Sequence, residues 1–184
     1  MFVLLPPSEG KAQGGLPKTK WAPSQGVFGK ALGAPRTAIA AALRDVDGGS
    51  AVLLGVSGKH LERAQSANSS LAGSPTLVAC ERYTGVVWGH LDLPTLTPTQ
   101  HSFAREHIVV VSGLLGAVLG ADPTPDYRLK MGARFSVEGL PVQTMSKFWR
   151  EPVTTAINNF CADHIVVDML PQDHRGIFLP SKSQ

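Results

Sequence analysis

The sequence predicts a single α/β domain with a mixed, mainly parallel sheet and flanking helices, on three observations. Short apolar runs rich in branched residues recur at 2–5, 76–80, 107–111 and 164–167. Segments with helical spacing lie between them, the alternation a parallel sheet needs because parallel strands are joined by crossovers. At 184 residues the chain can bury a sizeable core, since the buried fraction rises with size.

Composition narrows the class. The net charge is +3, yet only 17% of residues are charged and no Lys/Arg block appears. This balance allows phosphate contact without announcing a nucleic-acid tail. Cys80 and Cys161 sit far apart on apolar stretches, as expected for buried reduced thiols. Residues 1–5 are too short for a signal segment, and no apolar run approaches the ~20 residues of a membrane span. A soluble, cytoplasmic protein is expected, with no membrane partner.

In chain order, Phe2 to Leu5 reads as a buried strand closed by Pro6 and Pro7. Residues 12–33, rich in Gly, Pro, Gln and Lys, read as a long irregular loop, either mobile or wrapped over a functional face. Its Lys18, Lys20 and Lys30 around Trp21 and Phe28 suit phosphate contact and base stacking, or a plain solvated loop pinned by two aromatics. Pro35 reads as a helix start, with Ile39, Leu43 and Val46 on one face and Gly48-Gly49 as the stop. Residues 51–56 fit strand or helix, because a short apolar run does not reveal its period. The turn Gly55-Val56-Ser57-Gly58-Lys59 leads to a second helix, with Lys59 placed to hold a phosphate or simply to flank a capping turn.

A strand at 76–80 leads to the polar corner 81–85, then to a short helical turn and a modest helix over 98–106. The strand at 107–111 is expected to turn through residues 112–116 into another apolar helix. Prolines at 123 and 125 hold an extended loop delivering residues 126–132, DYRLKMG. Met145, Trp149, Val153 and Ile157 mark the longest helical stripe, in which Pro152 is expected to kink the helix or set its first turn. The strand at 164–167 ends at Asp168, and residues 171–184 form a divergent C-terminal tail.

The chemistry collects at strand ends. Residues 8–11, 81–85, 112–116 and Asp168 form polar corners, and ligands of parallel α/β sheets bind where the carboxyl ends of strands converge. If residues 126–131 are extended, Asp126, Arg128 and Lys130 face one way and Tyr127, Leu129 and Met131 the other. Arg128 offers a bidentate grip on a carboxylate or phosphate, with Lys130 beside it. Lys11 can be a point charge, a proton carrier or, if desolvated, an amine nucleophile. Glu9 and Asp168 are candidate acid and base groups, Tyr83 or Tyr127 candidates to position a proton. Ser8, Thr84, Ser112 and Trp149 complete the candidate binding set. No HExxH, zinc-spaced Cys/His cluster, Walker loop, GxGxxG or GxSxG occurs, so neither a metal nor a nucleotide cofactor is expected.

Five pieces of sequence, FVLLPPSEGK, ERYTGVVWGHLD, VVVSGLLGAVLGADPTPDYRLKMG, the KFW at 147–149 and the VVD at 166–168, resemble the YaaA family of bacterial peroxide-stress proteins. The resemblance implies double-stranded DNA binding that limits oxidative damage when peroxide meets iron. It implies a mixed α/β fold with a helix-hairpin-helix-like element at 54–64, beside a basic cleft of Lys11, Arg128 and Lys130. Members are usually longer, continuing into a basic segment with further strands, and the corner MLPQDH at 169–174 lacks a serine and tyrosine common there. Two functions follow as expectations: a DNA-binding stress protein, or a small-molecule enzyme acting on an anionic or nucleobase-like substrate by N-glycosidic cleavage or a lyase-type step.

Overall fold

A computed structural model describes residues 1–137 and 139–181. The chain opens with β1 (Phe2–Leu5), β2 (Gly10–Lys11) and β3 (Leu16–Lys20), followed by α1 (Gly29–Arg44), α2 (Ala51–Leu54) and α3 (Gly58–Ser69). Next come β4 (Pro75–Val78), α4 (Ala79–Arg82), β5 (Tyr83–Thr84), α5 (Val86–Leu91) and α6 (Pro98–His107). Then β6 (Ile108–Ser112), β7 (Gly116–Leu119), β8 (Pro123–Pro125), β9 (Arg134–Phe135) and β10 (Gln143–Thr144) lead to α7 (Met145–Phe160), β11 (Val166–Asp168) and α8 (Gln172–Arg175). Among the described residues no helix is long and apolar enough to cross a membrane.

The central sheet has the order β11-β1-β6-β7. β1 runs parallel to both β11 and β6, and β7 returns antiparallel to β6. The sheet is therefore mixed around a parallel centre, as expected. Of its two inner strands, β6 is buried at every position, which explains its unbroken branched sequence.

Several local expectations are corrected. Residues 112–116 do not enter a helix: Ser112 pairs with Gly116 and the chain turns back as β7. A short apolar run buried on both faces carries no period to separate the two outcomes. The 76–80 segment is a strand only to Val78, and it lies in a separate antiparallel sheet of order β3-β4-β8. The expected 12–33 loop contains β3 and the start of α1, with Trp21 and Phe28 buried in the core, which removes them as platforms for bases. Pro35 lies inside α1 rather than at its start. Ala31, whose carbonyl loses the usual N–H partner, is exposed and open to water. Residues 51–56 resolve as the single-turn α2 and its exit. Ile177 and Phe178 of the tail are buried, with Arg150 Nε donating to the Gly176 carbonyl at 2.7 Å; residues 182–184 of that tail lie outside the described residues.

Packing at the β6–β7 hairpin sets the position of the 126–132 segment. Trp149 is fully buried, its indole Nε1 donating to the Gly113 carbonyl at 2.9 Å. A Cβ at Gly113 would stand 2.6 Å from the Leu129 carbonyl oxygen, so only glycine allows this approach.

Arg36 ties the same hairpin to the chain before α1. It is 1% exposed and donates to the carbonyls of Leu115, Ala117, Pro23 and Gln25 at 2.7–3.0 Å. Burial lowers its pKa to about 10, opposed by the nearby Asp122 carboxylate. Arg36→Met is expected to reduce stability by about 3 kcal/mol or more in denaturant titration, because several buried carbonyls lose their donors. A loss under about 0.5 kcal/mol, the range of an ordinary surface change, contradicts this role.

Candidate functional site

The corner after β1 and the 126–132 segment meet across a cleft of about 490 Å³, lined by Ser8, Glu9, Lys11, Tyr127, Arg128 and Lys130, with Asp173 and His174 on the far wall. A second chamber of about 420 Å³ shares Glu9, Lys11, Tyr127 and Arg128 and adds Arg63, Thr84 and Asp126. A larger cavity of about 830 Å³ lies elsewhere, among Val3, Leu5, Val86, Leu91, Phe103 and Met169. Its lining is almost wholly apolar and holds none of the candidate charged groups. The smaller paired chambers are therefore the better candidate, because function needs convergent polar groups.

The walls are brought together locally. β2 pairs antiparallel with β5, setting Gly10 opposite Thr84 and Lys11 opposite Tyr83. This ladder, and not a row of parallel strand ends, delivers the 81–85 corner to the cleft. Along the 126–132 segment burial alternates as expected: Tyr127, Leu129 and Met131 are buried, while Asp126, Arg128 and Lys130 reach outward. Asn68 fixes the segment's backbone. Its Oδ1 accepts from the Arg128 N–H at 2.9 Å, and its Nδ2 donates to the Arg128 carbonyl at 2.8 Å and the Gly48 carbonyl at 2.9 Å.

Charges inside the cleft are paired. Arg128 donates from Nη2 to Glu9 Oε2 at 3.0 Å and from Nε to the Leu54 carbonyl at 3.0 Å. Lys130 Nζ lies 3.0 Å from Glu9 Oε1. Hydrogen bonds from Lys130 and then Arg128 hold the Glu9 carboxyl below its ordinary pKa. Arg63 pairs with Asp126 Oδ2 at 2.8 Å and reaches the Lys11 carbonyl at 3.2 Å.

Lys11 is in a different state. Its Nζ donates to the Ser8 carbonyl at 3.0 Å and stands 4.3 Å above the Tyr127 ring and 5.7 Å from that of Tyr83. Burial lowers its pKa to about 8, with Arg128 and Arg63 adding to the fall and Asp126 opposing it. Behind it lies a buried hydroxyl set. Ser112 Oγ is 2.6 Å from Tyr127 Oη, which is 2.9 Å from Tyr83 Oη. Ser112 accepts from the N–H groups of Leu114 and Leu115, so both lone pairs are engaged and its proton points to Tyr127. Burial pushes Tyr127 up to about 12 and Tyr83 well above its ordinary value, so both phenols are neutral.

The cleft thus gathers Ser8, Glu9, Lys11, Thr84, Tyr127, Arg128 and Lys130, with Tyr83 and Ser112 directly behind. Three candidates stand apart. Trp149 is sealed in the core. Lys59 is exposed on α3 outside the cleft lining. Asp168 caps its own corner, accepting from the Leu170 N–H at 2.8 Å and lying 3.5 Å from Arg175. Sequence reasoning did not single out Arg63 or Asn68. Each lies on a helix whose apolar face alone was legible, and their targets lie about sixty residues onward. His174 also lines the cleft, its buried Nδ1 unpartnered among the described residues, and burial lowers its pKa. The cleft as a whole can hold an anion at Arg128 and Lys130 and offer it a proton-exchanging amine.

Comparison with known proteins agrees with the motifs. A family model described as peroxide stress protein YaaA matches residues 1–184. A UPF0246 protein of Corynebacterium glutamicum is 32% identical over 170 residues, covering 92% of this chain and 66% of the relative. A UPF0246 protein of Streptomyces coelicolor is 33% identical over 173 residues, covering 92% of this chain and 64% of the relative. The chain thus spans a little under two thirds of the length of these relatives. With the whole of its described fold and cleft inside the matched residues, the chain belongs to the YaaA peroxide stress protein family.

Proposed function

We propose that the cleft is the active site of an enzyme for a small anionic, nucleotide-like substrate, with Arg128 holding the anion and Lys11 moving a proton. One observation carries this reading: the Lys11 amine faces a cleft of small-ligand size, stands over the Tyr127 ring, and is paired with no carboxylate among the described residues. A desolvated amine of this kind exchanges protons near neutrality, where an ordinary lysine stays charged. Below about pH 8 it is a general acid, and above that value a general base. N-glycosidic cleavage fits, since a departing nucleobase needs a proton and an aromatic wall can support its ring. Glu9, neutralised between two cations, serves the anion site rather than proton transfer.

Two measurements test this. In ¹³C NMR of reductively methylated protein, one lysine is expected to titrate near pH 8, and its signal should vanish in Lys11→Arg; a full set of lysines titrating near their ordinary value counts against the role. Base release from a panel of nucleoside monophosphates, followed by chromatography, is expected to fall at least about 100-fold in Lys11→Gln. Turnover unchanged by that substitution and by Arg128→Gln removes the assignment, and no release across the panel removes N-glycosidic cleavage.

A second reading, duplex DNA binding, is favoured by the α2–α3 turn. Gly55 and Gly58 both have left-handed φ, 63° and 56°, and Lys59 is exposed in the first turn of α3. This is the family expectation, borne by the element at 54–64. Anisotropy with a labelled duplex is expected to show binding that weakens steeply between about 50 and about 200 mM salt, with Lys59→Glu weaker throughout. Absence of binding at the lower salt contradicts it.

A further inference from the structure

We infer that Glu9 is a built-in stand-in for a phosphate-type oxyanion, and that the true ligand enters by displacing it. The inference rests on the cleft being an anion site and adds what occupies that site at rest. The Glu9 carboxylate offers one oxygen to Arg128 Nη2 and the other to Lys130 Nζ, each at 3.0 Å, the contacts an incoming oxyanion would make.

The two sides of this arrangement are held very differently. Arg128 is fixed without Glu9: its Nε donates to the Leu54 carbonyl, and Asn68 grips its backbone on both sides. Its side chain is 17% exposed. Lys130 packs against Gly55, where a Cβ would come within 3.0 Å of its Nζ. Glu9, by contrast, lies on the corner between β1 and β2 with its side chain 65% exposed. Among the described residues its side chain has no partners other than these two cations. Exposed ion pairs are weakly held, so the acid leaves and the cations stay.

Charge decides what replaces it. One carboxylate faces two full cations, with the Lys11 amine in the same cleft. A dianionic phosphoryl group therefore matches the site better than a second carboxylate. Glu9 also lines both chambers. Its departure frees space bordering both, into which the rest of the ligand can extend.

A phosphoryl group can come from a phosphorylated small molecule or from a nucleic-acid backbone, and the test separates them. Calorimetric titration with inorganic phosphate and with a short DNA duplex is made on wild type, Glu9→Gln and Lys130→Gln. Glu9→Gln keeps the shape but not the charge, and is expected to tighten phosphate binding about two- to fivefold, the effect of one exposed ion pair. Lys130→Gln, a half-exposed position safe for folding, is expected to weaken it. Acetate is expected to bind more weakly than phosphate throughout. Tightening confined to the duplex assigns the phosphoryl group to a nucleic-acid backbone. If Glu9→Gln binds both probes no more tightly than wild type while Lys130→Gln still weakens them, the stand-in role is wrong and the anion site survives. If no form binds either probe, both readings fall.

Discussion

The cleft depends on a close backbone contact between the β6–β7 turn and the segment that carries Arg128 and Lys130. At Gly113 the absence of a side chain lets the Leu129 and Lys130 carbonyls lie against the turn, and Trp149 holds that turn from behind through its indole N–H. With the segment seated, Tyr127, Leu129 and Met131 are buried in alternation and the intervening cations are turned outward. Ion pairing then selects among side-chain positions that packing has already limited. A rigid apolar footing beneath a charged face is what a preorganised polar site requires.

Five basic residues at the cleft and in the core divide into two groups by what their guanidinium or ammonium groups touch. Arg36 and Arg82 are fully buried and donate to backbone carbonyls, Arg82 to those of Thr124, Ala12 and Gly14. They satisfy carbonyls of irregular backbone and of the edge strands β7 and β8. Arg63, Arg128 and Lys130 stand at the cleft and pair with carboxylates. Lys11 stands at the cleft too but donates to the Ser8 carbonyl and not to a carboxylate, and its burial lowers its pKa to about 8. The two thiols contribute nothing here: Cys80 and Cys161 are buried, and desolvation raises both pKa values.

Much of the site could be read from sequence because it rests on period. The alternation along 126–131 needed only an extended backbone, and two prolines before it supplied that. The corners at 8–11 and 81–85 were legible as polar residues following apolar runs, although their meeting was attributed to parallel strand ends and is made by the two-residue β2–β5 ladder. Such a short pairing has no sequence signature. The hairpin after Ser112 was hidden for a related reason: residues 114–119 are apolar whichever way the chain turns. Asn68 and Arg63 stayed invisible because a side chain that serves a distant carbonyl or carboxylate looks like any polar residue on a helix. Trp149 and Asp168 show the converse, residue types suited to chemistry that the fold uses for packing and capping.

The order of strands has a consequence for how the cleft comes into being. Val3 pairs with Ile108 and Phe2 with Val166, so the centre of the sheet joins segments far apart in the sequence. Such long-range pairings close large loops before they return any contact energy, and they slow folding. During synthesis the corner bearing Glu9 and Lys11 leaves the ribosome first, yet it has no opposite wall until the segment around Arg128 follows, and His174 later still. The cleft is therefore complete only when the corner at 8–11, the 126–132 segment and the corner bearing His174 are all in place.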